Sequence, residues 1–370
     1  MSATFLYQEI YQSLLNDILS GNYKSGDILP SEKELCKKYD VSLITIRRAL
    51  TQLESENIIN KCKGKGSFVN SQIRGSGDYK NKNLGILYLN WSGIITPSYD
   101  AVPFNSKLYN RNDWDNTIYS VIYRKLSSEY NIIIGTYDHD FVLNHFEETV
   151  FQNVDRILII GIYTSELIDM FQSKGKFIVV YNNFNKNLRV CSVSGNERQS
   201  CCELITKLIE LGHRRIACIN GDINFSESVE RFMGYQEALM INNVPLYSEI
   251  IKWGNRSSES GYYTAKSLLD SDNPPTAIVC VNDSVAAGAI FAIREAGFDC
   301  PKDISVVGHD NNIMLHNLDI PVITSIDSKF ELVGEILAEK LIRDVWIDDF
   351  TTIETEIVTN GTIAPANKKH

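Results

Sequence analysis

Apolar positions along this chain recur with two different periods, and the change between them divides it. Near the N-terminus, Phe5, Ile10, Leu14, Leu15, Ile18 and Leu19 fall on one helical stripe. The segment GNYKSGDILP interrupts that stripe with Gly21, Gly26 and Pro30, and Ser31-Glu32-Lys33-Glu34 then has the form of a capping box opening a second helix through Tyr39. A tight Asp40-Val41 turn leads to Ser42, a cap for a third helix whose Ile46, Ala49, Leu50 and Leu53 face inward. Thr45, Arg47 and Arg48 lie on its more exposed side. Two β-prone runs, 58–62 and 67–69, flank the tip Lys63-Gly64-Lys65-Gly66, a hairpin pattern with a basic end. Two short helices on a tight turn followed by such a hairpin predict a winged helix-turn-helix. Its second helix fits the DNA major groove, and Lys63 and Lys65 suit phosphate.

From residue 84 the pattern becomes short buried strands alternating with helices. The strand candidates are 84–89, 132–136, 156–160, 177–181, 216–219, 277–281 and 304–307; helical spacing appears at 118–130, 165–173, 197–211 and 231–241. This alternation predicts a two-lobed, doubly wound α/β arrangement with parallel sheets. The clearest unit is 276–311. There an apolar strand is followed by a helix opened by Asp283 or Ser284 and stopped by Gly297, and then by a second strand. Its strands end in Asn282-Asp283 and His309-Asp310, and ligands of open parallel sheets bind at the carboxyl ends of strands. Residues 71–83 are polar and aperiodic, as a linker is. The expected organisation is therefore 1–70 for the winged helix, 71–83 for the linker and 84–366 for the two-lobed domain. Residues 90–113 read as a loop over the first strand's end.

Charge sharpens this division. The chain of 370 residues has a formal net charge of −10, yet residues 1–70 hold nine Lys/Arg against eight Asp/Glu. A locally basic face on an acidic protein is a pattern expected of nucleic-acid contact. The eight cysteines are scattered without a CxxC pair, which suits reduced core residues of a cytoplasmic protein and argues against a zinc site. No apolar run approaches the roughly 18 residues that span a bilayer, and the acidic, amphipathic N-terminus is unlike a secretory signal.

The segment PSEKELCKKYDVSLITIRRALTQLESENIINKCKGKGSFV resembles the winged-helix DNA-binding domain of the GntR family. That resemblance implies DNA-contacting roles for Lys33, Ser42, Thr45, Arg47 and Gly64. Leu43 stands where the family usually has an arginine. A leucine makes no bidentate contact to guanine, though it suits a thymine methyl. Arg48, Lys63 and Lys65 complete the expected DNA-binding set.

Four further segments, LGHRRIACING, ERFMGYQEAL, 274–311 and IPVITSIDSKFELVG, resemble the effector domain of LacI/GalR repressors, which is periplasmic-binding-protein-like. The resemblance implies ligand contacts at Arg231, Asn282 and Asp310, residue types that donate to and accept from sugar hydroxyls. Asn182 stands where many relatives have an aspartate. Trp91, near the first strand's end, is placed to stack on a sugar ring. Arg256 stands where an aromatic residue is usual, and within the cleft it would favour an acidic ligand such as a sugar phosphate.

A GntR-type reader joined to a LacI-type sensor is the pairing of arabinose repressors. The resemblance thus implies a homodimeric cytoplasmic repressor of carbohydrate-utilisation genes. Its partners would be operator duplex DNA and a small sugar, L-arabinose or a related pentose, with no cofactor, metal or membrane. The sequence has no GxSxG, P-loop, HExxH or GxGxxG motif to suggest an enzyme. The competing reading is a cytoplasmic sugar- or sugar-phosphate-binding protein or enzyme that uses residues 1–70 only for protein interaction.

Overall fold

Ser31 caps the helix Glu32–Tyr39 (α1) in both directions, as the sequence predicts. Its hydroxyl accepts from Glu34 N at 3.3 Å, and its own N–H donates to Glu34 Oε2 at 2.7 Å. Asp40 adopts a left-handed φ of 53° and turns the chain into Leu43–Ser55 (α2), where Ser42 Oγ accepts from Thr45 N. Ile46, Ala49, Leu50 and Leu53 are buried together with Leu14, Ile18, Leu35, Ile58 and Val69. Strands Ile59–Cys62 (β1) and Gly66–Val69 (β2) pair antiparallel, and Ile28 bridges to Phe68 beside them. This is the expected winged helix.

The computed structural model describes residues 7, 10–11, 13–15, 17–18, 22–23, 26–55, 58–62, 65–70, 83–90, 113–185, 187–343 and 349–367. Lys63, Gly64, Trp91, the 71–83 linker apart from its last residue, and most of the 90–113 segment lie outside them.

The first lobe contributes strands Asn83–Asn90 (β3), Asn131–Asp138 (β4), Arg156–Gly161 (β5), Phe177–Tyr181 (β6) and Cys191–Gly195 (β7). The second contributes Ile216–Asn220 (β8), Ile251–Trp253 (β9), Ala277–Cys280 (β10) and Ser305–Val307 (β11). Ser325–Asp327 (β12), Phe350–Ile353 (β13) and Glu356–Val358 (β14) follow. The strand order is β13-β7-β6-β5-β3-β4 in one sheet and β11-β10-β8-β9 in the other. Neighbours in both are parallel, whereas β12 and β14 pair antiparallel. Around the sheets lie Asp113–Leu126 (α3), His139–His145 (α4), Ser165–Ser173 (α5), Glu197–Glu210 (α6), Ser226–Ile241 (α7), Ser258–Leu269 (α8), Asp283–Glu295 (α9) and Phe330–Leu341 (α10). The protein is an α/β molecule with a small N-terminal winged helix and a doubly wound, periplasmic-binding-protein-like domain of parallel sheets.

Every strand and helix that periodicity predicts beyond residue 84 is present, though α3 and α7 each begin five residues before the expected 118 and 231. Strands β7, β9, β12, β13 and β14 are not legible in that periodicity. The run CSVSG of β7 is fully buried despite two serines, and Ser194 Oγ donates to Asn183 O at 3.0 Å. The chain passes between the lobes where β7 meets α6, where β12 meets α10 and where β13 meets β14. Asn196 ties two of these passages, its Oδ1 accepting from Thr355 N at 3.0 Å and from Thr355 Oγ1 at 2.7 Å. In the second lobe α8 and α9 cross closely because position 288 is glycine. A Cβ there would stand 1.9 Å from Ser258 O.

Candidate functional site

In the second sheet the strand order reverses between β8 and β10, and a crevice opens at their carboxyl ends. Asn282 sits there and caps α9. Its Oδ1 accepts from Val285 N at 2.9 Å, and its Nδ2 donates to Arg256 O at 3.2 Å. This corrects the expectation that Asp283 or Ser284 is the cap. Asp283 instead turns inward, its Oδ2 accepting from Asn312 N and its Oδ1 from Ser325 Oγ, each at 2.7 Å. Burial pushes its carboxyl up to about 7. Gly308 permits this approach, since a Cβ there would lie 2.0 Å from Asp283 Oδ1. Asn282, Asp283 and Asp310 line a cavity of 550 Å³ together with Thr117 of α3 and Phe330 of α10. Both lobes therefore contribute to its wall.

Behind that cavity lies a buried group of four ionisable side chains. Arg231 of α7 donates from Nε to Glu197 Oε2 at 2.7 Å, from Nη1 to Val281 O at 2.5 Å and from Nη2 to Asp310 Oδ1 at 3.4 Å. His309 Nε2 lies 2.9 Å from Glu197 Oε2, and its Nδ1 lies 3.1 Å from Asp310 Oδ1. Asp310 is thus held by both Arg231 and His309. Burial alone would raise both carboxyls, but Arg231 and His309 outweigh it and hold both below their ordinary values. For His309, burial and Arg231 act downward, and the two carboxylates prevail to raise it. Ser328 Oγ also lies 3.3 Å from His309 Nδ1. A serine, a histidine and an acid are therefore in contact, with Ser328 and His309 buried and Asp310 reaching the cavity wall.

Arg256 is partly buried beside this group. It donates from Nη2 to Glu227 Oε1 at 2.6 Å and lies over the Phe225 ring at 4.8 Å, while its Nε is buried without a hydrogen-bond partner among the described residues. Asn182 follows β6 with a left-handed φ of 61°. Its Oδ1 is buried and unpartnered among the described residues, and its carbonyl accepts from Ser226 Oγ at 2.8 Å. That bond joins the first lobe to the start of α7.

On the winged helix, Lys33, Ser42, Leu43, Arg47, Arg48 and Lys65 are exposed and Thr45 is half-buried. Arg47 Nε pairs with Glu32 Oε2 at 2.9 Å, and Arg48 lies over the Tyr7 ring at 4.1 Å. Lys65 closes the hairpin turn, its N–H donating to Cys62 O at 2.9 Å.

Two family models match the chain. The one for bacterial regulatory proteins of the gntR family covers residues 6–69, and the one for the periplasmic binding protein-like domain covers residues 205–362. The chain is 27% identical over 314 residues to the probable HTH-type transcriptional repressor ExuR of Bacillus subtilis (strain 168), spanning 84% of this chain and 90% of that protein. It is 30% identical over 234 residues to the HTH-type transcriptional repressor PurR of Actinobacillus pleuropneumoniae serotype 3 (strain JL03), spanning 61% and 69%. The chain belongs to the GntR/LacI-type transcriptional repressors. Its fold matches the solved transcriptional regulator CelR–cellobiose complex with a TM-score of 0.63 at 21% identity, covering 87% of this chain and 91% of that one. These relatives are regulators, not enzymes.

Sequence reasoning about this regulator missed Glu197, Glu227 and the Asp310 side of His309. Glu197 lies 34 residues from Arg231 and over a hundred from His309, and it reads in sequence as an ordinary first-turn acid of α6. The signal available was weaker: an acid just after a strand, at a chain passage between lobes. No helix among the described residues is long and apolar enough to cross a membrane.

Proposed function

We propose that this protein is a homodimeric, cytoplasmic repressor of carbohydrate-utilisation genes, released from or recruited to its operator by a small sugar held between the lobes. Residues 1–70 read the DNA, 71–83 link, and 84–366 sense and dimerise. Asn182, Arg231, Asn282 and Asp310 are the proposed sugar contacts, with Trp91 stacking on the ring. The observation that carries this reading is the 550 Å³ cavity lined by both lobes, on which Asn282 and Asp310 converge. That volume lies within the usual range of about 300–1,000 Å³ for small-ligand sites.

Charge balance favours a neutral ligand. Arg231 is met by Glu197, Arg256 by Glu227 and His309 by Asp310, so none of these three cations is left over for a phosphate. L-arabinose or a related pentose fits this better than a sugar phosphate. Pairing of two copies is supported by apolar side chains left exposed on and near the edge strand β4, Ile134 and Phe141 among them.

The test is a thermal-shift screen of the full chain against pentoses, hexoses and their phosphates, followed by operator titration with each hit. A neutral sugar that both stabilises the protein and changes operator affinity supports the proposal. Stabilisation by a sugar without any duplex-DNA binding would support the competing reading of a plain sugar-binding protein.

A further inference from the structure

The first turn of α2 has an outward surface that is apolar. Ile44 is 80% exposed and Leu43 39%, while Ile46, Ala49, Leu50 and Leu53 on the other side are buried. Consecutive residues on a helix point about 100° apart, so a helix whose inner stripe is already filled must present these two elsewhere. Aliphatic side chains at such positions gain nothing from water, and an exposed apolar cluster marks a contact surface.

The polar groups around them are engaged. Ser42 Oγ and Thr45 Oγ1 are 2.8 Å apart and bonded to each other, Arg47 is paired with Glu32, and Arg48 stacks on Tyr7. Leu43 and Ile44 are therefore the unencumbered tip of this helix. Its occupant is duplex DNA, because α2 is the second helix of a GntR-type helix-turn-helix and lies beside basic side chains. Neither residue has a donor or acceptor for a base edge. In the major groove only the C5-methyl of thymine offers an apolar contact.

We propose that Leu43 and Ile44 form a two-residue reader of thymine methyl groups, so that each operator half-site is specified at these positions by thymines rather than by guanine. This goes beyond sugar-responsive repression, because it names the bases read, and it stands whatever the effector is.

The experiment starts from duplexes selected in vitro by the full-length protein. Each thymine of the selected half-site is then replaced singly by deoxyuridine, which removes the methyl and leaves every hydrogen-bonding group in place. The expected result is a loss of about fourfold in affinity per contacted methyl, the worth of one buried carbon, confined to one or two positions. Ile44→Ala and Leu43→Ala should each abolish the deoxyuridine effect at one position, with the salt dependence of binding unchanged. Both residues are exposed, so these variants keep the fold, which circular dichroism checks. Leu43→Arg should shift the selected base toward guanine. Selected sites whose affinity is indifferent to deoxyuridine throughout, or an effect that persists in the Leu43→Ala/Ile44→Ala double variant, would overturn the proposal.

Discussion

Arg231 Nε donates to Glu197 Oε2 at 2.7 Å, and both side chains are almost wholly buried. This pair links α6, the first helix after the chain enters the second lobe, to α7 and, through Arg231, to Asp310 at the cavity wall. Removing one partner leaves an uncompensated buried charge. Glu197→Gln should therefore destabilise the protein by about 3–5 kcal/mol. Denaturant unfolding of the full chain measures this, and Arg231→Met added to Glu197→Gln should cost less than the sum of the two single changes.

Asp310 is the proposed sugar contact that also belongs to this buried group. It sits at a φ of 98°, where asparagine is among the better tolerated residues other than glycine. Asp310→Asn should keep operator binding and lose about 1.5–3 kcal/mol of sugar affinity, a charge-assisted hydrogen bond's worth. Operator titrations with and without the sugar from the screen decide this. An unchanged response at the same sugar concentration would make Asp310 a turn residue only.

Arg47 faces outward from α2 and is held by Glu32 in a surface pair, which is worth under about 1 kcal/mol. A base edge or phosphate displaces such a partner readily. Arg47→Ala is expected to weaken operator binding by about 1–3 kcal/mol while sugar binding stays as it was. Equal operator affinity for variant and wild type across several salt concentrations would refute the assignment.

Lys63 and Lys65 are expected to meet phosphate from the hairpin tip. Replacing either with alanine should weaken specific and non-specific duplexes alike and make the slope of log K against log salt shallower by about one. A loss of sequence preference with an unchanged slope would mean that the hairpin reads bases.

Asp283 gives a pH signature. Its carboxyl is pushed up to about 7 in the folded protein, against an ordinary value of 3.8. Between those values the folded state keeps a proton that the unfolded chain has released, so this group's contribution falls as pH rises from about 4 to about 7. In the variant Asp283→Asn the side-chain amide can still accept from Asn312 N and can donate to Ser325 Oγ, and it carries no titrating proton. Its melting temperature should therefore gain on wild type progressively across that pH range. Parallel melting curves at pH 5 and pH 8 would count against a proton on Asp283.

Local order was legible in the sequence because its causes are local. The capping box of Ser31 and Glu34, the stripe of Ile46, Leu50 and Leu53, and the apolar runs of β5, β6 and β10 each depend on neighbours a few residues away. They fix the winged helix and the alternation of strand and helix, and they bring Asn282 and Asp310 to strand ends. Tertiary structure decided the rest. Strand β7 is rich in serine and is a strand because β6 and β13 flank it, the latter arriving from more than 150 residues away. The cap fell to Asn282 rather than Asp283 because Ser325 and Asn312, brought in by distant chain, draw the Asp283 carboxylate inward. The pairing of Glu197, Arg231, His309 and Asp310 joins separate elements of the fold. Their burial and charge are set by packing between those elements, which no spacing within the sequence encodes.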